Sequence, residues 1–137
     1  MIKTKKFGFT LIELLVVISI IGILASMSTV SLNSARRKAR DVRRLSDGSQ
    51  LQLALYLYYD SNNGFPVANM DPANAKANWP ILVSALNGSQ TGLTLMKNVP
   101  TDPINTGVYI YGYNSDGNNF ILSLNLEEGG FREVRSY

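Results

Sequence analysis

One acid stands alone in the most apolar part of this chain. Glu13 is the single charged residue between Phe7 and Ala35, inside the run Phe9-Thr-Leu-Ile-Glu-Leu-Leu-Val-Val-Ile-Ser-Ile-Ile-Gly-Ile-Leu-Ala25. A carboxylate in such a span costs about 2.5–3.5 kcal/mol to insert and is usually paired or functional. Other chemistry is scarce. The 137 residues include no Cys and no His, which excludes a disulfide scaffold, a Cys/His zinc site and catalysis built on histidine or a cysteine nucleophile. No nucleophile motif or paired carboxylates take their place, so an enzyme is not expected. The second charged feature is a basic collar of Arg36, Arg37, Lys38, Arg40, Arg43 and Arg44, with Asp41 as its one acid. Three roles fit it: a solvated or headgroup-facing segment, salt bridges to other copies, or contact with nucleic acid. No aromatic platform interleaves with the basic run, which disfavours the last.

These groups need elements to hold them. About 20 helical residues cross a bilayer core, and Phe9 to Ser28 supplies that length. A helix apolar on every side belongs in lipid or a large protein interior, and the rest of this chain is too small to wrap one. Residues 9–35 therefore read as a transmembrane helix. Lys3, Lys5 and Lys6 precede it and place the N-terminus in the cytoplasm, whereas the six cations after it favour the reverse orientation. A cleaved secretory signal fits poorly, because Ala25-Ser26-Met27 is the nearest imitation of a small-x-small site. Gly22, followed by Ser26, Ser28, Thr29 and Ser31, marks a stretch of weak helix formers that could melt during packing with other copies.

The segment Lys5-Lys6-Phe7-Gly8-Phe9-Thr10-Leu11-Ile12-Glu13-Leu14-Leu15-Val16-Val17-Ile18 resembles the N-terminal motif of type IV prepilins and type II secretion pseudopilins. The likeness covers about the first thirty residues directly and the remainder only in general plan. It implies that residues 1–8 are a leader cut between Gly8 and Phe9 by a prepilin peptidase, with N-methylation of the new Phe9 amine. It also implies that the chain is a structural subunit polymerising into a pilus-like or secretion filament. Its implied partners are copies of itself, related pilins, the peptidase, an inner-membrane assembly platform and the lipid bilayer. The precursor would cross the inner membrane once with its N-terminus inside, then enter a periplasmic or cell-surface filament. Glu13, one turn beyond Phe9, would pair with the Phe9 amine of a neighbour and set the stagger between subunits. The alternative is a pilin-like DNA receptor using Arg36 to Arg44.

Past the collar, Leu45 to Tyr59 is amphipathic, with Leu51, Ala54, Leu55 and Tyr58 on one face. Residues 36–64 thus continue the helix. Ser46-Asp47-Gly48 could kink it, and Asp60 to Gly64 with Pro66 should end it. Residues 65–137 form a head. The fold class expected is α+β, a long N-terminal helix with a small antiparallel sheet packed on its second half. A short helix is expected near Pro80 to Leu86, with Trp79 as a core anchor. The Pro100-Thr-Asp-Pro103 turn resembles the Asp-Pro segment before the sheet in pseudopilins, with Ile104 where the major ones commonly carry tryptophan. Strands are expected at Val108–Tyr113, Phe120–Leu126 and Phe131–Arg135, the first two joined by a turn at Asp116-Gly117. Tyr109, Tyr111 and Tyr113 form one stripe of the first. No cofactor is expected. Calcium at Asp116, Asn114 and Asn118 is the one option, and these lack the bidentate acid of a full calcium loop.

The net charge of +3 belongs mostly to the leader. Removing residues 1–8 takes away three of the 13 cations and leaves ten against ten acids. A basic precursor is therefore no general argument for nucleic acid.

Overall fold

A computed structural model describes residues 8–69 and 71–136. The leader assigned to residues 1–8 lies, apart from Gly8, outside the described residues. The elements are α1 (Leu11–Asn62), a single 3-10 turn (Pro72–Asn74), α2 (Trp79–Leu86), β1 (Gly112–Ser115), β2 (Phe120–Leu126) and β3 (Gly130–Arg135). The chain divides after Arg36 into two compact units, and the α+β class is as expected.

The first unit carries the apolar start of α1. Its described residues from Leu11 to Met27 are all exposed, so the apolar surface is displayed on every side. The serines within it do not interrupt that surface. Ser19 Oγ donates to the Leu15 carbonyl at 2.8 Å and Ser26 Oγ to the Ile23 carbonyl at 2.7 Å, which satisfies both hydroxyls inside the helix itself. In this single chain α1 is continuous through Gly22.

In the second unit, the four residues read as one face of the helix are its buried face: Leu51, Ala54, Leu55 and Tyr58. They meet Leu82, Leu86, Tyr113, Phe120 and Leu122 in a single cluster. No break occurs at Ser46-Asp47-Gly48. A Cβ on Gly48 would stand 2.8 Å from Leu124 Cδ1, so this glycine admits the sheet rather than kinking the helix. The helix ends at Asn62. Asn63 then adopts φ of 54°, a left-handed conformation asparagine tolerates better than most residues, and Pro66 prevents resumption.

The sheet has the order β1-β2-β3, antiparallel throughout. Phe120, Leu122, Leu124 and Leu126 alternate inward along β2, matching the period-two pattern. The first strand is shorter and later than expected. Positive φ at Asn105 and Gly107, 52° and 60°, folds residues 106–109 into a tight turn closed by Tyr109 N–H on the Thr106 carbonyl at 3.0 Å. Pairing with β2 therefore begins only at Gly112. The outer edge of β1 is covered: Ala68 N–H donates to the Ser115 carbonyl at 2.9 Å and Tyr113 N–H to the Ala75 carbonyl at 2.8 Å. The β3 edge carries exposed Arg132, Glu133 and Arg135, charges that discourage edge pairing. Helix α2 begins where expected, with proline in its first turn. Trp79 packs edge-on against Tyr111 at 5.6 Å between ring centres.

Candidate functional site

Two arrangements of charged groups stand out, one in each unit. The first begins at exposed, non-helical Gly8 and Phe9. Thr10 precedes the first turn of α1. Its N–H and its Oγ1 both donate to Glu13 Oε2, at 2.8 and 2.6 Å, and Glu13 N–H donates to Thr10 Oγ1 at 3.3 Å. This is a reciprocal capping box: threonine before the helix and glutamate three residues on satisfy each other's amides. The N–H groups of a first turn have no helical partner, and the dipole there favours an anion. Glu13 thus has a local partner for its charge inside an apolar helix. That partnership is legible in the Thr10-x-x-Glu13 spacing.

The second arrangement divides the basic collar. Arg44 is fully buried. Its Nε and Nη2 donate to the two oxygens of Asp102 at 2.7 and 3.1 Å, and its Nη1 donates to Asp41 at 2.7 Å and Glu127 at 2.9 Å. Tyr109 lies across the guanidinium, 4.9 Å from ring centre to Cζ, a cation–π contact. Arg40 grips Glu127 with two bonds of 2.6 Å. Asp41 in turn accepts the backbone N–H groups of Glu127 and Glu128 at 2.8 and 2.9 Å. Three carboxylates and two guanidiniums so tie α1 to the loop at Asp102 and to the β2–β3 turn. A neighbouring hydrogen bond, Tyr111 Oη to Asp47 at 2.8 Å, extends the polar seam along the helix.

The titration behaviour follows from these contacts. The hydrogen bonds of Arg40, and then of Arg44, outweigh desolvation and hold the Glu127 carboxyl down at about 2. Burial works against the charges of Asp41 and Asp102, yet hydrogen bonds from backbone amides and from Arg44 keep both below the usual carboxylate range. Asp102 leads the contacts that raise Arg44. All five groups are charged at neutral pH.

The collar is corrected accordingly. Arg44 is inside the head and Arg40 is half-buried on Glu127, so neither offers a free cation to nucleic acid. Arg43 is exposed, 3.9 Å from Asp47, while Arg36, Arg37 and Lys38 are exposed. The tyrosine stripe also faces inward: Tyr111 and Tyr113 are buried, and Tyr113 Oη donates to the Pro66 carbonyl at 2.7 Å. Of the groups weighed for calcium, Asp116 Oδ1 accepts the N–H groups of Asn118 and Asn119 at 2.9 and 2.6 Å. Asn114 is buried, its amide meeting that of Asn78 at 2.9 Å. Sequence reasoning gave Asp41, Asp102 and Glu127 no part in a site. Their signal was weak, because only the fold brings positions 44, 102 and 127 together.

A capped, apolar N-terminal helix joined to a small α+β head defines the class of pilin-like filament subunits. Comparison with known proteins agrees. Residues 3–29 match the family model described as the prokaryotic N-terminal methylation motif. The chain is 35% identical over 101 residues to the type II secretion system core protein G of Aeromonas hydrophila, covering 74% of this chain and 69% of that protein. It is 31% identical over 131 residues to core protein G of Vibrio cholerae, covering 92% and 86%. A shorter likeness, 43% over 54 residues, covers 38% of this chain and 34% of the type IV major fimbrial protein FimA of Dichelobacter nodosus. No solved structure matches the chain significantly. The chain belongs to the type II secretion core protein G family. It is a structural filament subunit of the prepilin type, and Ile104 in place of tryptophan does not set it outside. The motif and the apolar helix fit an inner-membrane precursor and a filament.

Proposed function

We propose that this chain is the repeating core subunit of a secretion-type filament, made as an inner-membrane precursor with its N-terminus in the cytoplasm. A prepilin peptidase cuts the exposed Gly8–Phe9 bond, and the new Phe9 amine is methylated. Before assembly the bilayer surrounds the apolar start of α1. An assembly platform then draws it into a bundle of like helices, a solvent of nearly the same polarity, so the transfer carries no large hydration penalty. The work is polymerisation, with no catalysis of its own.

The observation that carries this reading is the Thr10–Glu13 capping box directly after Gly8-Phe9. Capping holds the Glu13 carboxylate oriented at the helix start. Once cleavage creates a cationic amine one turn away, the same carboxylate can accept the amine of a neighbouring copy and neutralise both charges in an apolar bundle. Mass spectrometry of the N-terminus tests the pathway. A methylated Phe9 is the expected result, and an intact Met1 in assembled material would overturn it.

A further inference from the structure

Where the end of α1, the β1–β2 turn and the loop after α2 converge, the head holds a cleft of about 400 Å³, within the range of small-molecule sites, about 300–1,000 Å³. Asn63 comes from the first of these segments, Asn118 from the second and Gln90 from the third, and all three are exposed. Left-handed backbone at Asn63 and Gly117, with φ of 54° and 92°, brings the first two segments together. Phe65 N–H then donates to the Gly117 carbonyl at 2.8 Å. The walls are set before any ligand arrives, which lowers the cost of binding one.

The polar groups of this cleft are neutral and open. Among the described residues no charged side chain lines it. No hydrogen bond joins the side-chain amide of Asn63, Gln90 or Asn118 to a described residue. Tyr58 is more enclosed, at 9% exposure, and its hydroxyl likewise has no partner among the described residues. No fully buried side-chain oxygen there lacks a partner, so this hydroxyl opens to the cleft that Tyr58 lines. A largely enclosed hydroxyl left unpaired is costly, and a ligand group that met it would offset the cost.

We propose that this cleft binds one end of a neutral saccharide. A primary amide presents N–H donors and a carbonyl acceptor side by side. Adjacent sugar hydroxyls, each both donor and acceptor, are their complement. Val67 and Ile81 add apolar wall for the C–H face of a sugar ring, and the Tyr58 hydroxyl takes one sugar hydroxyl more. An anionic ligand fits poorly, because phosphate or carboxylate would lose its water with no cation to replace it. An extended peptide fits poorly too. It pairs with an open strand edge, and the β1 edge is already taken by Ala68 and Ala75. The inference does not depend on polymerisation.

The test is saturation-transfer NMR on the full chain in a zwitterionic detergent, since a glycoside headgroup would itself compete. A trisaccharide of N-acetylglucosamine and maltotriose are added separately, with inorganic phosphate and tetraglycine as the anionic and peptide probes. At least one saccharide should bind. Gln90→Leu, Asn118→Leu and Tyr58→Phe should each weaken that binding about tenfold, the effect of one hydrogen bond left unmade. Two of these positions are exposed and the third keeps its ring, so circular dichroism and Trp79 fluorescence should match the unaltered chain. Binding of neither saccharide, equal affinity in all three variants, or displacement of the saccharide by phosphate or tetraglycine would overturn the proposal. Each of these results leaves the filament reading as it stands.

Discussion

Arg44 and Asp102, 58 positions apart, meet through two parallel hydrogen bonds of 2.7 and 3.1 Å, with the arginine wholly out of solvent. A planar guanidinium matches a carboxylate in this fork geometry, which lysine cannot reproduce. The pair fastens α1 to the loop before the sheet. It turns part of what reads as a surface collar into an internal clamp.

Removing one side of the clamp strands buried charge. Arg44→Leu leaves Asp102 and Asp41 without their cation and should cost about 3–5 kcal/mol. Arg44→Lys should recover part of that loss. Trp79, the chain's one tryptophan, packs on Tyr111 in the head, so its fluorescence during denaturant unfolding of the full chain in detergent reports the loss directly.

Acid should loosen the same unit. The Glu127 carboxyl lies at about 2 in the folded chain against an ordinary value of 4.5, so the folded state binds protons less readily than the unfolded one. Its stabilising contribution is complete above about pH 4.5 and is lost as pH falls towards 2. Asp41 and Asp102 are lowered too and add in the same direction. Unfolding midpoints measured between pH 6 and 2 should fall across that window, and Glu127→Gln should flatten the slope. A midpoint that does not change with pH would contradict the assignment.

Tyr111→Phe deletes one oxygen and leaves the shielded Asp47 carboxylate without its 2.8 Å donor. A hydrogen bond to a charged group is worth about 1.5–3 kcal/mol, and the variant should lose that much stability with its fold unchanged. Circular dichroism and the Trp79 signal check both halves of the statement.

Glu13→Ala should leave membrane insertion intact and abolish assembly, because the apolar run survives while the partner proposed for a neighbour's Phe9 amine does not. Thr10→Ala removes only the cap, worth about 1 kcal/mol, and should reduce filament yield less severely. Fractionation of membranes and sheared filaments separates the two effects. Normal filaments from Glu13→Ala would remove Glu13 from the mechanism.

Much of this protein is legible along the chain because its signals are local. An apolar run of membrane length, a lone glutamate, the Gly8-Phe9 motif and the face made by Leu51, Ala54, Leu55 and Tyr58 each lie within a few helical turns. So do the alternation along Phe120–Leu126 and the stop after Asp60. Other features depend on residues distant in sequence. Charge pattern alone leaves Arg40 and Arg44 indistinguishable from Arg36 and Arg37, since all four follow one another on a helix. Only packing decides that Arg44 faces inward, where Asp102 and Glu127 arrive from 58 and 83 positions away. The start of β1 was likewise settled by the turn at Asn105 and Gly107, whose left-handed backbone is invisible to a pattern of alternating tyrosines. The sequence by itself therefore determined the apolar helix, its N-terminal methylation motif and the α+β plan. Tertiary structure decided which charges are buried, because a buried ion pair is set by what surrounds it and not by its neighbours along the chain.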